Sequence, residues 1–140
     1  MAVIIDSGAI YALYDAADVH HAAVRGVFER ERGPFIVPIA ILGEVDYLLR
    51  EYLGVDAELD FLDGIARGFY ALETLTTHDV VRCQDIIARY RDVNIGLADA
   101  AVMATAERLG IFRILTVDER DFRIVRSTKG RAFTLLPADN

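Results

Sequence analysis

Apolar positions along the chain follow two periods. Val3–Ile5 is apolar throughout and Ile114–Val117 is apolar but for Thr116, as strands covered on both faces are. Ala2–Ile5 therefore predicts a first strand. Asp6 and Ser7 follow as cap-type residues, and Ile10, Leu13 and Tyr14 then recur at helical spacing. Further helices are predicted over His20–Arg32, from Pro38 to about Leu53, over Asp56–Ala66, from a cap at Thr77 to about Tyr90, and over Leu97–Leu109. Gly33-Pro34, Gly54 and Gly110 punctuate them. Strands are predicted at Phe35–Val37, Phe69–Leu72, Ile111–Val117 and Ala132–Leu135, with DERDF after the fourth read as a charged turn.

Strands alternating with helices indicate an α/β fold. The expected form is a three-layer α/β/α sandwich around a central, mainly parallel sheet of four to five strands. Such sheets bind ligands outside the carboxyl ends of their strands. Asp6 and Asp118 each follow a predicted strand and are expected at that edge.

Two further acids stand out. At 100° per residue Glu44 shares a helix side with Ala40, Ile41, Tyr47 and Leu48, whereas Asp46 and Arg50, spaced i,i+4, are expected to face water. Asp99 shares a face with Val102, Met103 and Ala106 in the first turn of its helix. A carboxylate on an apolar stripe must find a partner or give up its charge. Taken singly, each acid has a plain reading: Asp6 a cap, Asp118 a turn former, Asp99 an N-terminal charge, Glu44 an arginine partner. If the four converge, they repel. Two charges ~5 Å apart at an effective dielectric of about 20 cost roughly 3 kcal/mol. A divalent cation relieves this, and an all-carboxylate set suits magnesium or manganese rather than zinc. A carboxylate-held cation suits hydrolysis of a phosphodiester. The hydroxyls of Ser7 and Thr116 sit beside Asp6 and Asp118, either to orient them or as an ordinary cap and strand threonine.

Composition bounds the rest. The 140 residues argue for one domain, 1–140. The apolar fraction, 54%, is slightly high and hints at a dimer or a held partner, with Ala9–Tyr14 and Ala40–Leu53 as candidate contact surfaces. Cys83 is the single cysteine, so no disulfide framework exists within the chain and a reducing cytoplasm fits. Cys83, Phe28, Tyr47, Tyr52, Phe61 and Phe69 are expected in the core, and His20 and His21 as exposed residues at a helix start. The MAVIID start lacks the marks of a signal peptide, and no apolar run reaches the ~18 residues of a membrane span. The net charge of −7 argues against a nucleic-acid partner. Yet residues 113–131 hold six bases against three acids, and this local +3 suits either phosphate contact or a solvated surface. Arg120, Arg123 and Arg126 are the candidate phosphate contacts by charge.

The segments IIDSGAIYAL, VPIAILGEVDYLL, IGLADAAVMATAERLG and ILTVDERDF resemble the PIN-domain family, in particular the VapC toxins of type II toxin–antitoxin pairs. The resemblance spans nearly the whole chain. It implies that the family's four acids fall on Asp6, Glu44, Asp99 and Asp118, as catalytic residues and metal ligands, with Asp121 auxiliary. It implies a magnesium- or manganese-dependent endoribonuclease that cuts structured RNA, transfer RNA or ribosomal RNA. It also implies a homodimer, silenced by a VapB-type antitoxin whose C-terminal segment covers the site. Glu119 departs from the base that relatives often carry after the fourth acid. The competing readings are a housekeeping RNA-processing PIN nuclease and a PIN module that binds RNA or protein without cutting. A phosphoacceptor domain fits poorly, because Asp6 lacks an acidic neighbour and Lys129 is the only lysine.

Overall fold

The computed structural model describes residues 1–139. Five parallel strands form one sheet: β1 (Val3–Ile5), β2 (Phe35–Pro38), β3 (Tyr70–Glu73), β4 (Arg113–Leu115) and β5 (Thr134–Leu136). Their spatial order is β3-β2-β1-β4-β5. Among the described residues seven helices flank it: α1 (Ser7–Tyr14), α2 (His21–Arg30), α3 (Leu42–Leu53), α4 (Val55–Ala66), α5 (Thr77–Arg89), α6 (Leu97–Leu109) and α7 (Arg120–Ile124).

Central strands β1 and β2 are buried at every position, which is why their sequences do not alternate. Edge strand β3 leaves Leu72 41% exposed. The chain steps from β1 to β2 to β3 in one direction and returns to β4 on the other side of β1. Right-handed crossovers therefore carry α1–α4 to one face and α5 and α6 to the other. In accord, α1 packs on α2 and α3, α3 on α4, and α5 on α6. β1 and β4 pair directly, Ile5 opposite Leu115, although the chain leaves them in opposite directions. The crevice at their carboxyl ends is the place where such sheets bind ligands.

Several local expectations shift. Pro38 ends β2, paired opposite Glu73, and a 3-10 turn at Ile39–Ile41 leads into α3. The apolar run Ile111–Val117 yields a strand only at Arg113–Leu115, because the Ile111 N–H closes the end of α6 on Ala106. The last strand is Thr134–Leu136. The α5 cap is Thr76, in a reciprocal capping box with Asp79, and not Thr77. DERDF is no simple turn: Arg120–Ile124 is helical because Phe122 buries itself against Phe133.

The stripe assigned to α3 also moves. Its core face is Ile41, Val45 and Leu49, all fully buried. Glu44 is exposed, and so is Tyr47 at 57%. Tyr52 and Phe69 are exposed as well, whereas Phe61 and Cys83 are core residues and Phe28 is partly buried against it. Asp46 is half-buried rather than fully in water, and its carboxyl, followed by burial, pushes up the pKa of the buried Glu58.

Candidate active site

Asp6 leaves the end of β1 and caps α1, its carboxylate accepting the Ser7 N–H at 2.8 Å. The Thr116 hydroxyl, one residue beyond β4, donates to the other oxygen of Asp6 at 3.0 Å. The same hydroxyl accepts the Asp118 N–H at 3.1 Å. One threonine thus sets both the rotamer of Asp6 and the course of the chain to Asp118. Gly8 allows α1 to approach that chain, since a Cβ there would lie 3.0 Å from Val117 Cγ2. The Ser7 hydroxyl turns the other way and donates to Glu44 Oε1 at 2.6 Å, tying α1 to the start of α3.

Asp6, Ser7, Gly8, Glu44, Gly96, Ala98, Asp99, Val117 and Asp118 line one open cavity of about 330 Å³. All four acids read from the sequence meet here, contributed by β1, α3, α6 and the loop after β4. No lysine, arginine or histidine lines the cavity, and among the described residues none of the four acids forms an ion pair. The electrostatic consequence is clear. Burial, followed by the carboxylates of Asp6, Asp121 and Asp118, pushes Asp99 up to about 7. Burial also raises Asp6, against the Ser7 and Thr116 hydrogen bonds that hold it down, and the Glu44 and Asp118 charges add to the rise.

Asp121, on α7, is buried, and its carboxyl is one of the groups that raise Asp99. Its Oδ1 has no protein donor, and Arg120 Nε stands off at 3.6 Å. Four carboxylates with no base lining their cavity, and the Asp121 oxygen without a hydrogen-bond donor, form a donor set that fits a hard divalent cation. Among the described residues no group of three or more acid, histidine or cysteine side chains stands close enough together to hold an ion as placed.

The three candidate RNA-contact arginines have different surroundings. Arg120 is 77% exposed, and its guanidinium takes part in no hydrogen bond among the described residues. Arg126 donates to the Arg123 carbonyl at 2.8 Å. Arg123 is engaged by Glu119 and Asp139. Nothing in the sequence pattern pointed to Asp139, which lies far along the chain from its partner.

A family model described as PIN domain matches residues 3–127. The chain is also 36% identical over 135 residues to Ribonuclease VapC26 of Mycobacterium tuberculosis, covering 96% of this chain and 100% of that protein. The chain belongs to the PIN-domain family, among the VapC ribonucleases. Solved structures share this PIN fold. VapC20 of Mycobacterium tuberculosis, a Sarcin-Ricin loop cleaving toxin, superposes with a TM-score of 0.79 at 18% identity over 86% of this chain and 92% of that one. A toxin–antitoxin complex from Klebsiella pneumoniae gives 0.70 at 15% identity, over 89% and 92%. VapBC2 of Rickettsia felis, bound to a DNA fragment from its promoter, gives 0.66 at 9% identity, over 89% and 93%. Among the described residues of this PIN domain, no helix is long and apolar enough to cross a membrane.

Proposed function

We propose that this PIN domain is a divalent-metal-dependent endoribonuclease acting on structured RNA, transfer RNA or ribosomal RNA, and the toxin of a pair with a VapB-type antitoxin. The observation that carries the reading is the cavity in which Asp6, Glu44, Asp99 and Asp118 converge without a counter-charge. The relationship to a named ribonuclease supports the reaction class, and the toxin–antitoxin neighbours support the kind of partner. A homodimer accords with the exposed apolar side chains of α3 and α4, among them Tyr47, Tyr52, Val55 and Leu59.

Asp6 and Asp99 would hold magnesium or manganese directly, and Glu44 and Asp118 would complete its surroundings, directly or through water. The ion supplies Lewis acidity and a nucleophilic water at neutral pH. The protein's part is placement. Thr116 fixes the rotamer of Asp6, and Ser7 fixes Glu44. Arg120, 77% exposed and 3.6 Å from Asp121, is the candidate group for a phosphate.

Water attack at phosphorus breaks the P–O3′ bond and leaves a 5′-phosphate and a 3′-hydroxyl. Attack by the neighbouring 2′-hydroxyl leaves a cyclic phosphate instead. Expression of the chain in bacteria, with cellular RNA ends mapped, is expected to give growth arrest and discrete cuts bearing 5′-phosphates. Cyclic phosphate ends would overturn the assignment of the nucleophile, and growth without cuts would overturn the toxin reading.

Thr116→Val tests the placement argument. Valine keeps the shape but removes the donor to Asp6 and the acceptor of the Asp118 N–H. Loss of such an orienting group typically costs 10–100-fold in activity or metal affinity. We expect about that loss in cleavage rate, with the fold retained by circular dichroism. A variant as active as wild type would reduce Thr116 to an ordinary strand residue.

A further inference from the structure

We infer that Arg123 and Asp139 form a latch that positions the loop carrying Asp118 and Asp121, which makes both of them positioning residues rather than RNA contacts. The inference rests on the ribonuclease reading of the site. Its basis is a chain of hydrogen bonds that leads from the sheet to that loop.

Asp139 is anchored to β5 twice. Its carboxylate accepts the Leu135 N–H at 2.7 Å, and its own N–H donates to the Leu135 carbonyl at 2.6 Å. β5 is itself paired with β4, Leu115 opposite Leu136. From this anchor Asp139 receives both terminal nitrogens of Arg123, at 2.8 and 2.6 Å. Arg123 also donates to Glu119 at 2.8 Å. The loop's other end is fixed to the same strand, by the Thr116 N–H on the Leu136 carbonyl at 3.0 Å.

The intervening segment needs such bracing. Asp118, Glu119 and Asp121 are like charges within four residues, and among the described residues the Asp118 carboxylate has no hydrogen-bond or ion-pair partner in the protein. α7 has five residues, too few to be a stable helix by itself. Phe122 anchors it on the core side. The forked Arg123–Asp139 contact supplies an orientation as well as an attachment on the outer side. Both side chains are partly exposed, 43% and 28%, so the contact adds little to stability; its effect lies in geometry. Asp139 lies beyond the 3–127 stretch that matches the family model, so the latch draws on a part of this chain outside that match.

The competing reading has Arg123 gripping a phosphate while Asp139 merely masks it. The two readings predict opposite signs. Cleavage is measured on a synthetic RNA stem-loop copied from a cut site mapped with the wild type. With a latch, Arg123→Gln and Asp139→Asn each lower kcat by about tenfold. That is a fraction of the ~10²-fold that a 1 Å misplacement near reacting groups costs. KM stays within about twofold, the double variant is no slower than either single one, and the salt dependence of binding is unchanged. With a phosphate grip, Arg123→Gln weakens binding and reduces the slope of log affinity against log salt by about 0.7–0.9, while Asp139→Asn tightens binding; that result overturns the latch. Because Asp139 also braces Leu135, Glu119→Gln gives a separate arm away from β5, with a smaller loss in kcat and none in affinity. Unchanged kcat in both Arg123→Gln and Glu119→Gln overturns the proposal. A wild-type chain that cuts no RNA defeats the ribonuclease reading, whereas an active wild type with equally fast variants defeats the latch alone.

Discussion

Asp99→Asn is expected to lower RNA cleavage by about 10³-fold or more and to raise the melting temperature of the metal-free protein. The first effect follows if Asp99 is a direct holder of the ion on which the reaction depends. The second follows from its surroundings. Burial and the carboxylates of Asp6, Asp121 and Asp118 hold Asp99 up at about 7, against 3.8 for an ordinary aspartate. Between those two values the folded chain binds a proton that the unfolded chain has released. Stability contributed at this site therefore falls as pH rises from about 4 to about 7 and stays low above that. Asparagine carries no charge and escapes the loss. Asp99 is only half-buried, so solvent screening reduces the gain to about 1 kcal/mol, or roughly 3–4 °C for a domain of this size. The comparison is a series of thermal melts of wild type and variant in chelator from pH 4 to pH 8. The difference should be near zero at the acid end and reach its full size by pH 8. A variant less stable than wild type at pH 8 would mean that protein donors already satisfy the Asp99 carboxylate.

The second large effect is expected from the metal itself. Chelation should abolish cleavage, and magnesium or manganese should restore it. An ion at 100 times its dissociation constant stabilises the fold by about 2.7 kcal/mol, which is roughly 8 °C here. The shift should be large at pH 7.5 and smaller at pH 5, where Asp99 retains its proton and the ion must displace it. Asp99→Asn should remove most of it. Melting curves with and without each cation, at both pH values, test this independently of any RNA. A melting temperature indifferent to millimolar magnesium and manganese would leave the carboxylate cavity without the ligand its charge calls for.

The acids behind these expectations are visible in the sequence, but the fold supports the pattern around each to a different degree. Asp6 and Asp118 were noticed for their positions after strands, and β1 and β4 do pair with Ile5 opposite Leu115. Asp99 was noticed as a charge on an apolar helix face, and Val102, Met103 and Ala106 are all fully buried. Glu44 was noticed for a reason the fold does not support. The core stripe of α3 runs through Ile41, Val45 and Leu49, and Glu44 is exposed and bonded to Ser7. Its place in the cavity comes from the joint between α1 and α3, which no helical wheel displays. Phe122 was likewise hidden inside a charged run. DERDF reads as a solvated turn until Phe133 is placed beside it.

By itself the sequence determined the alternation of strands and helices, the buried central strands, the strand-end places of Asp6 and Asp118 and the apolar helix face that carries Asp99. These depend on periodicity and on neighbours close in the chain, which a linear pattern carries in full. The tertiary structure alone decided the length of β4, the exposure of Glu44, the rise of Asp99 and the engagement of Arg123 by Asp139. Desolvation and Coulomb interaction are sums over atoms near in space, and those atoms come from segments as far apart as Asp6 and Thr116. Residue order does not encode that sum until the chain has folded.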